Sequence, residues 1–466
     1  MAAAPSAGTA PSVKGGSRAW RLDFFHTGGL GAEILSLDRV VVEPLPWPGN
    51  AAGALGPENT GAYRFVVSDL GSGAALYRRG FGSIFGEWET TAEASKRHRT
   101  FHESLRFPAP AAKARVIVEK RDGGSWREVW RLDLDPGDMF VDTAAPRRQQ
   151  AIELERHGEP AEKLDLLLLG DGYTAKECAA SFGRDSKRLM DALFRHEPFR
   201  SRRPDFNVWG ICPPAEASGV SRPSTGRHVA SPVGTSYDAF GSERYLLTFD
   251  NRALREVAAW APYEHVAIVV NEETYGGGGI YNLYATVAVK SDWAEYVFVH
   301  ELAHELAGLA DEYYTSPVAY EPAAQVREPW EANVTADPQH PKWADLVNPE
   351  ADLVTPGAPL PTPWPKEEYE KAEVGFQARR KQLRAERRPE SEMSALFREE
   401  RAFASALLGK AEHAGTVGAF QGANYDAQAF YRPQVDCVMF TRDEVPFCAV
   451  CQRALAAVID LEAPRR

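Results

Sequence analysis

Short runs of β-branched and aromatic residues alternate with Gly and Pro turns in the first part of the chain, from about Ala19 to Pro136. Arg64–Val67 and Ala114–Val118 are such runs, and the pattern resumes after the turn Asp122–Gly124. Apolar and polar positions that alternate over short segments are typical of half-buried strands in antiparallel sheets. We therefore predict an antiparallel β-sandwich over residues 18–145.

The pattern changes after residue 145, and predicted strands then alternate with predicted helices. Leu164–Leu169 is a continuous apolar run of the kind that buried central strands have. Thr174 and Glu177 form a capping-box pattern that begins a helix running to about His196. The alternation predicts a second domain, residues 146–466, with a mixed α/β sheet. Its further predicted elements are the strand Phe206–Cys212, the helix Asn251–Trp260, and the strands His265–Val270 and Tyr284–Val289.

Two segments differ from their surroundings. Residues 365–413 are rich in Glu, Lys and Arg with several Ala and Leu, which predicts an inserted, solvated helical hairpin without a chemical role. Residues 1–17 are rich in Ala, Ser, Gly and Pro, which predicts a flexible tail. This tail lacks the apolar core of a signal peptide, but it also fits the stub of a removed leader, so export stays open.

Composition and charge narrow the class of protein. A chain of 466 residues is longer than single hydrophobic cores usually reach, which favours two domains. The net charge of −12 argues against a nucleic-acid partner, because phosphate contacts require clustered Lys and Arg. The sequence has no run of about 18 apolar residues, so we predict no membrane span.

The strongest chemical signal is the pair His300 and His304, with Glu301 directly after the first histidine. Residues four apart share one helix face, so two imidazoles at this spacing can bind one tetrahedral Zn²⁺. Glu301 stands where a carboxylate activates the attacking water without being a ligand, and we predict it as the general base. The flanking residues Val297–Val299 are apolar, which indicates a buried helix and disfavours a chance match on a solvated face.

A catalytic zinc ion requires a third protein ligand and an open position for water. Gly308 is the predicted end of the helix, because Gly readily takes the left-handed conformation. Asp311 and Glu312 follow, and ligand type and spacing favour Asp311 as the third ligand. Glu312 is the alternative ligand, or else a partner that holds the loop or a ligand imidazole.

A glycine-rich segment, Tyr275–Ile280, precedes the predicted strand Tyr284–Val289. Glycines beside an edge strand let another backbone come close, so an extended peptide substrate could pair with this edge. A flexible hairpin without a ligand role is the alternative, and the sequence leaves both open.

The stretch from His300 to Tyr314 resembles the active-site signature of the IgA-peptidase family of bacterial metallopeptidases. The resemblance spans about Leu164 to Ala454, and the N-terminal sandwich resembles the domain that often precedes this catalytic domain. It implies a zincin- or metzincin-like catalytic domain, a Zn²⁺ cofactor and a protein or peptide substrate. The other matching stretches, in the same order, are Leu169–Thr174, Tyr281–Val287, Tyr431–Pro433, Cys437–Met439 and Phe447–Cys451.

The family is in turn similar to metzincins, in which a methionine turn lies beneath the metal, and this implies Met439 for that position. The chain departs from the usual metzincin pattern, since Gly308 comes four residues after His304 and Asp311 stands where a third His is more common. The spacing from Gly308 to the third ligand is kept, which supports Asp311.

A tyrosine that helps to stabilise the oxyanion often follows the methionine in metzincins, whereas this chain has Phe440 and Thr441. Tyr431 is a candidate substitute, because a phenol can donate to a developing oxyanion. The alternative is a packing role for Tyr431 in a turn before Pro433.

Five cysteines are unevenly distributed, with Cys178 and Cys212 alone and Cys437, Cys448 and Cys451 clustered near the C-terminus. The cluster indicates a disulfide from Cys437 to Cys448 or Cys451, or a structural metal site. Three thiolates without an evident fourth ligand favour the disulfide, which also suits a secreted, cell-surface or periplasmic protein.

These observations lead us to expect a zinc endopeptidase in which Glu301 deprotonates water and later protonates the leaving amine. The sequence contains no Gly-x-Ser-x-Gly motif, so it gives no indication of a serine nucleophile. One rival is a binding or adhesion protein in which the sandwich recognises a glycan or protein surface and the zinc domain is inactive. Another is a zinc hydrolase that acts on a non-peptide amide or ester.

Overall fold

The N-terminal part of the chain is built from two four-stranded sheets. In this computed structural model, which describes residues 17–315, 326–347 and 358–464, one sheet has the order β5-β1-β2-β8 and the other β4-β3-β6-β7. The predicted tail over residues 1–17 lies outside the described residues, apart from Ser17. The elements are β1 (Arg18–Gly29), β2 (Ala32–Pro46), β3 (Tyr63–Asp69), β4 (Ala75–Phe81), α1 (Ile84–Glu89), β5 (Arg99–Pro108), β6 (Ala114–Asp122), β7 (Ser125–Leu134) and β8 (Val141–Asp142).

The two sheets bury a common core between them. Leu22 and Phe24 of β1 and Phe65 and Val67 of β3 belong to the same cluster of buried side chains. Alternation along each strand directs every second side chain into this core, as expected for a sandwich. The pairing is antiparallel except for β8, which runs parallel to β2, so the prediction of a purely antiparallel arrangement was wrong at this short edge strand.

The second part of the chain has a six-stranded mixed sheet of order β15-β16-β14-β10-β11-β9. Helices cover it, and two small two-stranded sheets lie outside it. The elements are β9 (Ala151–Glu155), β10 (Leu164–Asp171), α2 (Ala175–Glu177), α3 (Gly183–Leu193), α4 (Phe199–Arg202), β11 (Phe206–Ile211), β12 (Thr235–Ser236), β13 (Leu247–Thr248), α5 (Asn251–Ala258), β14 (His265–Val270), β15 (Gly277–Ile280), β16 (Tyr284–Ala288), α6 (Ala294–Ala307), α7 (Ala344–Val347), α8 (Lys366–Ala385), α9 (Glu390–Leu408), β17 (Phe420–Ala423), β18 (Asp426–Arg432) and α10 (Ala449–Glu462).

The central strand β10 is buried along its whole length, which explains its continuous apolar sequence. It pairs in parallel with β11 and β14, and antiparallel strands β9 and β15 close the two edges. The prediction of a mixed α/β architecture preceded by a β-rich region is therefore confirmed.

The predicted helix after β10 is divided in the structure. Its capping box forms as expected, since Thr174 accepts from the Glu177 backbone and Glu177 accepts from Thr174. One π-helical turn, Cys178–Phe182, then separates α2 from α3. A disulfide joins Cys178 in this turn to Cys212 at the end of β11.

The charged segment 365–413 forms the two helices α8 and α9, but one side of α9 is buried rather than solvated. Met393, Leu396, Phe397 and Leu408 of α9 are buried in the main core of the second region. Polar side chains dominate the sequence because the outer faces of both helices are exposed, while the smaller apolar set covers the core.

The N-terminal and C-terminal regions share a hydrophobic core as well as polar contacts. Phe85 and Trp88 of α1 pack in one cluster with Leu167 of β10 and Leu254 of α5. None of the described helices has the length and hydropathy that a membrane span requires.

Candidate metal centre

Helix α6 carries the predicted metal-binding pair and is held against the central sheet by its apolar residues. Val297, Phe298 and Leu302 are buried in the core below β15 and β16. The helix ends at Gly308 in the left-handed conformation, with φ of 58°, as predicted. A side chain at this position would also collide with Trp330, because an added Cβ would lie 2.2 Å from the indole ring.

The glycine-rich strand β15 allows α6 to approach the sheet closely. A Cβ at Gly279 would lie 2.2 Å from the Glu301 carbonyl oxygen and 2.9 Å from the His304 Cβ. A Cβ at Gly277 would lie 3.2 Å from the Glu301 Cγ. The outer edge at Gly277 is hydrogen-bonded to the Arg244–Leu246 main chain. The glycines thus make room for the helix, which was neither of the two interpretations left open by the sequence.

Three predicted ligand atoms, two from α6 and one from the loop that follows it, lie close together. His300 Nε2 lies 3.1 Å from His304 Nε2, and Asp311 Oδ1 lies 2.9 Å and 3.2 Å from these two nitrogens. Nitrogen and oxygen ligands about 2.0–2.1 Å from a tetrahedral zinc ion stand roughly 3.3 Å apart. The structure therefore brings His300, His304 and Asp311 together at separations that fit a common small ion.

The opposite ring nitrogens fix the orientation of both imidazoles. His300 Nδ1 donates to the Val438 carbonyl at 3.1 Å, and His304 Nδ1 donates to the Leu309 carbonyl. With a proton on each Nδ1, the Nε2 lone pairs point towards the common centre. This donor set fits a zinc ion, because neutral imidazoles and a carboxylate are among its usual ligands.

Asp311 is held from both sides. Its Oδ2 accepts from the Tyr425 hydroxyl, and its main-chain carbonyl accepts from the Asn424 backbone at 2.9 Å. Burial alone would raise the pKa of Asp311, but the charge of His304 and hydrogen bonds from His300 and His304 hold that pKa well below its usual value. Asp311 is therefore an anion over the physiological pH range, as a metal ligand must be.

The same interaction raises the proton affinity of His304. Burial would lower its pKa, but the charge of Asp311 and its hydrogen bond raise the pKa to about 9. Asp311 thus stabilises a positive charge at His304, and a proton and a metal ion compete for this side chain.

Glu301 faces the cavity next to these ligands. A carboxylate oxygen of Glu301 lies within 4.8 Å of one ring nitrogen of His300 and one of His304. Burial raises the pKa of Glu301 above its usual value. A carboxylate with a raised pKa binds a proton more readily than one in water does.

A cavity of about 610 Å³, part of it open to solvent, lies in front of Glu301 and His300. Helices α8 and α9, which we had expected to be chemically idle, form one wall of it. Arg244, Tyr275, Tyr296, Tyr313 and Phe440 also line this space, together with Tyr369, Glu373, Glu400, Arg401 and Arg442.

Tyr313 and Arg244 were missed in the sequence. Arg244 Nη1 donates to the Tyr313 hydroxyl at 3.1 Å, and the Tyr313 ring stacks on His300 with 6.1 Å between ring centroids. Since the Tyr313 oxygen accepts from Arg244, its own proton is free to be donated into the cavity. Tyr313 lies in the family-like stretch after Asp311, which was a signal for it, whereas nothing local in the sequence indicated Arg244.

Tyr431, the predicted oxyanion donor, lies elsewhere. Its hydroxyl accepts from Gln421 Nε2 at 3.3 Å, and its main chain pairs with Thr335. The described residues that line the cavity do not include Tyr431. The geometry therefore favours the packing role that the sequence had left as the alternative.

The turn that contains Met439 lies against the ligand loop. Met439 is fully buried, and its carbonyl accepts from the Glu312 backbone at 2.9 Å. The preceding carbonyl, of Val438, is the acceptor for His300 Nδ1. The turn thus supports both a ligand histidine and the loop after the third ligand.

Glu312 does not point at the histidines. Its Oε1 accepts from Asn333 Nδ2 at 3.0 Å and lies 3.3 Å from Cys451 Sγ. Glu312 thus contacts the loop residue Asn333, whereas Asp311 is the carboxylate that lies beside the two histidines. The expected disulfide in the C-terminal cluster was wrong, because Cys437, Cys448 and Cys451 are all free thiols.

The disulfide that does form, Cys178–Cys212, follows from the order of the sheet. Cys212 directly follows β11, and Cys178 lies in the π-helical turn that follows the neighbouring parallel strand β10, so the fold brings them together. The sequence separated them by 34 residues and gave no pairing signal.

Two models of known protein families match most of this chain. A family model described as IgA Peptidase M64 matches residues 152–459, and one described as Peptidase M64 N-terminus matches residues 15–130. No curated protein matches this chain.

Proposed function

This chain belongs to the IgA peptidase M64 family and is thus a peptidase, and from that premise we propose that it is a zinc-dependent endopeptidase. The observation that carries the proposal is the mutual approach of His300 Nε2, His304 Nε2 and Asp311 Oδ1 within 3.2 Å beside the Glu301 carboxylate. The donor set suits Zn²⁺ better than Mg²⁺ or Ca²⁺, which prefer oxygen ligands.

We propose that His300, His304 and Asp311 hold the ion, while Glu301 acts on the substrate. When bound, zinc supplies Lewis acidity that polarises the scissile carbonyl and lowers the pKa of the attacking water. Glu301 takes a proton from that water and delivers it to the leaving amine. Its burial raises its pKa, which matches both halves of this cycle.

Tyr313 is the proposed oxyanion donor in place of Tyr431. Tyr313 lines the cavity, and its hydroxyl receives a hydrogen bond from the half-buried Arg244, which polarises the O–H bond. Burial raises the pKa of Tyr313 well above its usual value, so the phenol stays protonated and able to donate.

The substrate is proposed to be a protein or peptide that enters the cavity between α6 and the α8–α9 hairpin. Main-chain pairing with β15 at Gly277 is not part of this proposal, because Arg244–Leu246 occupy that edge. Secretion or a cell-surface location is also a proposal, supported by the Cys178–Cys212 disulfide, since disulfides persist in oxidising compartments. The similarity to metzincins and a binding role for the N-terminal region stay predictions.

The test is cleavage of a mixed peptide library by the purified protein, with metal content measured on the same sample. We expect cleavage that stops with a chelator and returns with zinc, and His304→Ala should lose both the catalytic metal and cleavage. His340→Ala, which changes an exposed histidine outside the site, is the matched control. Bound zinc without cleavage would favour a binding protein, and cleavage that survives chelation and His304→Ala would refute the zinc mechanism.

A further inference from the structure

A second group of metal-ligating side chains lies next to the catalytic loop but faces away from it. Three thiols, of Cys437, Cys448 and Cys451, surround the carboxylate of Glu312, and one ligand atom from each residue lies within 4.8 Å of all the others. All four residues are at most 1% exposed. They come from three separate segments, so only the fold assembles them.

Their distances fit one tetrahedral ion. Cys437 Sγ lies 3.9 Å from Cys451 Sγ, and Glu312 Oε1 lies 3.3 Å from Cys451 Sγ and 3.8 Å from Cys448 Sγ. Sulfur ligands about 2.3 Å from a tetrahedral zinc ion stand roughly 3.8 Å apart, and a sulfur–oxygen edge is slightly shorter.

The hydrogen bonding of the polar groups around the cluster favours a cation-binding site. Glu312 Oε2 is buried without a hydrogen-bond partner among the described residues, which is unfavourable for a carboxylate. The nearby buried guanidinium of Arg432 donates to the carbonyls of Gly422 and Val435 rather than to Glu312. A cation between the carboxylate and the thiolates would neutralise the negative charge of both kinds of group.

Backbone N–H groups already solvate two of the sulfurs. The Cys448 and Met439 amides donate to Cys437 Sγ at 3.2 Å and 3.5 Å, and the Cys451 amide donates to Cys448 Sγ at 3.3 Å. Cys448 and Cys451, with two residues between them, lie at the N-terminus of α10, where backbone amides favour thiolates.

We propose that Cys437, Cys448, Cys451 and Glu312 bind a structural Zn²⁺ ion that is distinct from the catalytic metal. Thiolate ligands select zinc over Mg²⁺ and Ca²⁺, and four protein ligands make the site closed, as structural zinc sites are. Glu312 is the fourth ligand whose absence from the sequence pattern had favoured a disulfide.

The proposed structural ion would fix the relative positions of two residues of the catalytic site. Glu312 follows Asp311, its amide donates to the Met439 carbonyl, and the neighbouring Val438 carbonyl accepts from His300. Fixing Glu312 to Cys437 and Cys451 therefore positions the third catalytic ligand relative to the first.

The decisive experiment uses the full chain with the catalytic ligands removed, so that it does not depend on the proposed peptidase mechanism. We expect folded His300→Ala/His304→Ala protein to retain one zinc per chain by elemental analysis. After exchange with Co²⁺ it should show the intense near-ultraviolet absorption of cobalt–thiolate bonds, which a His/His/Asp site cannot give.

Adding Cys437→Ser and Cys451→Ser to this variant should remove the zinc and the absorption, while Cys178→Ser/Cys212→Ser, the matched cysteine control, should keep both. If the cysteine variants do not fold, the cobalt spectrum of the His300→Ala/His304→Ala protein still decides. A folded His300→Ala/His304→Ala protein that binds no zinc or gives no thiolate absorption would overturn the proposal. So would a disulfide between any two of the three C-terminal cysteines in untreated wild-type protein.

Discussion

Individual side chains divide the chemistry of the site between them. His300, His304 and Asp311 present the candidate ligand atoms, Glu301 presents a base, and Tyr313 presents a proton donor to the same cavity. A ligand affects metal content, whereas a base or a proton donor affects the rate of hydrolysis. Substitutions at these positions should therefore distinguish the proposed roles.

Glu301→Gln should leave the metal in place and abolish most of the hydrolysis. Gln is nearly isosteric but cannot accept the proton of the attacking water, so we expect kcat to fall by about 10²–10⁴-fold with zinc content unchanged. Steady-state kinetics together with elemental analysis test this. An active Glu301→Gln protein would show that another group is the base.

Tyr313→Phe should lower kcat by roughly 10²-fold with little change in KM, because an oxyanion donor acts on charge that develops in the transition state. Tyr431→Phe is the matched control. Its hydroxyl contacts Gln421 outside the cavity lining, so we expect near wild-type kinetics. The reverse ranking of the two variants would restore the role predicted from the sequence for Tyr431.

Contacts between secondary-structure elements hold the residues of the site in place. Helix α6 approaches β15 through glycines, and near the C-terminal end of the helix Glu305 contacts His265 of β14 at 3.0 Å. His265 also contacts Glu462 of α10 at 2.9 Å, so one buried histidine joins a strand and two helices.

Gly279→Ala should displace α6. The added methyl group would lie 2.2 Å from the Glu301 carbonyl oxygen, and backbone must move to relieve this contact. We expect a loss of about 1–3 kcal/mol in unfolding free energy and a fall in kcat/KM of roughly tenfold or more. Gly375→Ala in α8 meets no atom within 4 Å and should instead stabilise by about 0.5–1 kcal/mol. Equal effects in urea unfolding would contradict the role of β15.

The His265 contacts predict a pH dependence of stability. Burial would lower its pKa, but the charges of Glu305 and Glu462 raise it from 6.5 to about 10. The folded state thus binds the proton more tightly than the unfolded chain, so this stabilisation is complete below pH 6.5 and is lost as the pH rises to about 10. A shift of this size corresponds to a stabilisation on the order of 5 kcal/mol.

Urea unfolding at about pH 6.5 and about pH 9.5 measures this loss. His265→Gln removes the titrating group while keeping a polar side chain, so its stability should fall less over the same range. A wild-type protein and a His265→Gln variant with the same pH dependence would show that other groups cause it.

At the scale of the whole molecule, the N-terminal region is joined to the catalytic region rather than tethered to it. Phe85 and Trp88 share a core with the central sheet, and Asn282 Nδ2 donates to the Gly80 carbonyl at 2.7 Å. The Gly82 amide also donates to the Tyr281 carbonyl at 2.8 Å. Loss of the N-terminal region would expose apolar surface directly beneath β15.

The whole molecule should accordingly unfold in one cooperative transition. We expect calorimetric and van't Hoff enthalpies to agree, and Trp88→Ala to move the entire transition to lower temperature through a loss of about 3–5 kcal/mol. Scanning calorimetry tests this. Two separate transitions, with only the first affected by Trp88→Ala, would show that the regions are independent.

Local patterns in the sequence were enough to locate much of this architecture. The buried strand β10, the capping box at Thr174 and the helix end at Gly308 depend on residues within a few positions of one another. The pair His300 and His304 is of the same kind, because the period of an α-helix places residues four apart on one face wherever the helix lies. The sequence thus predicted the helix that carries His300 and His304, and the mixed sheet around it.

Contacts between distant segments were decided only by the tertiary structure. The pairing of Cys178 with Cys212, the meeting of Glu312 with the C-terminal thiols, and the position of Arg244 beside Tyr313 depend on how the sheet orders its strands. Spacing along the chain carries no information about these contacts, because burial of the whole core sets the path between the segments. By itself the sequence determined a helix with two histidines on one face, and the fold decided which other side chains surround them.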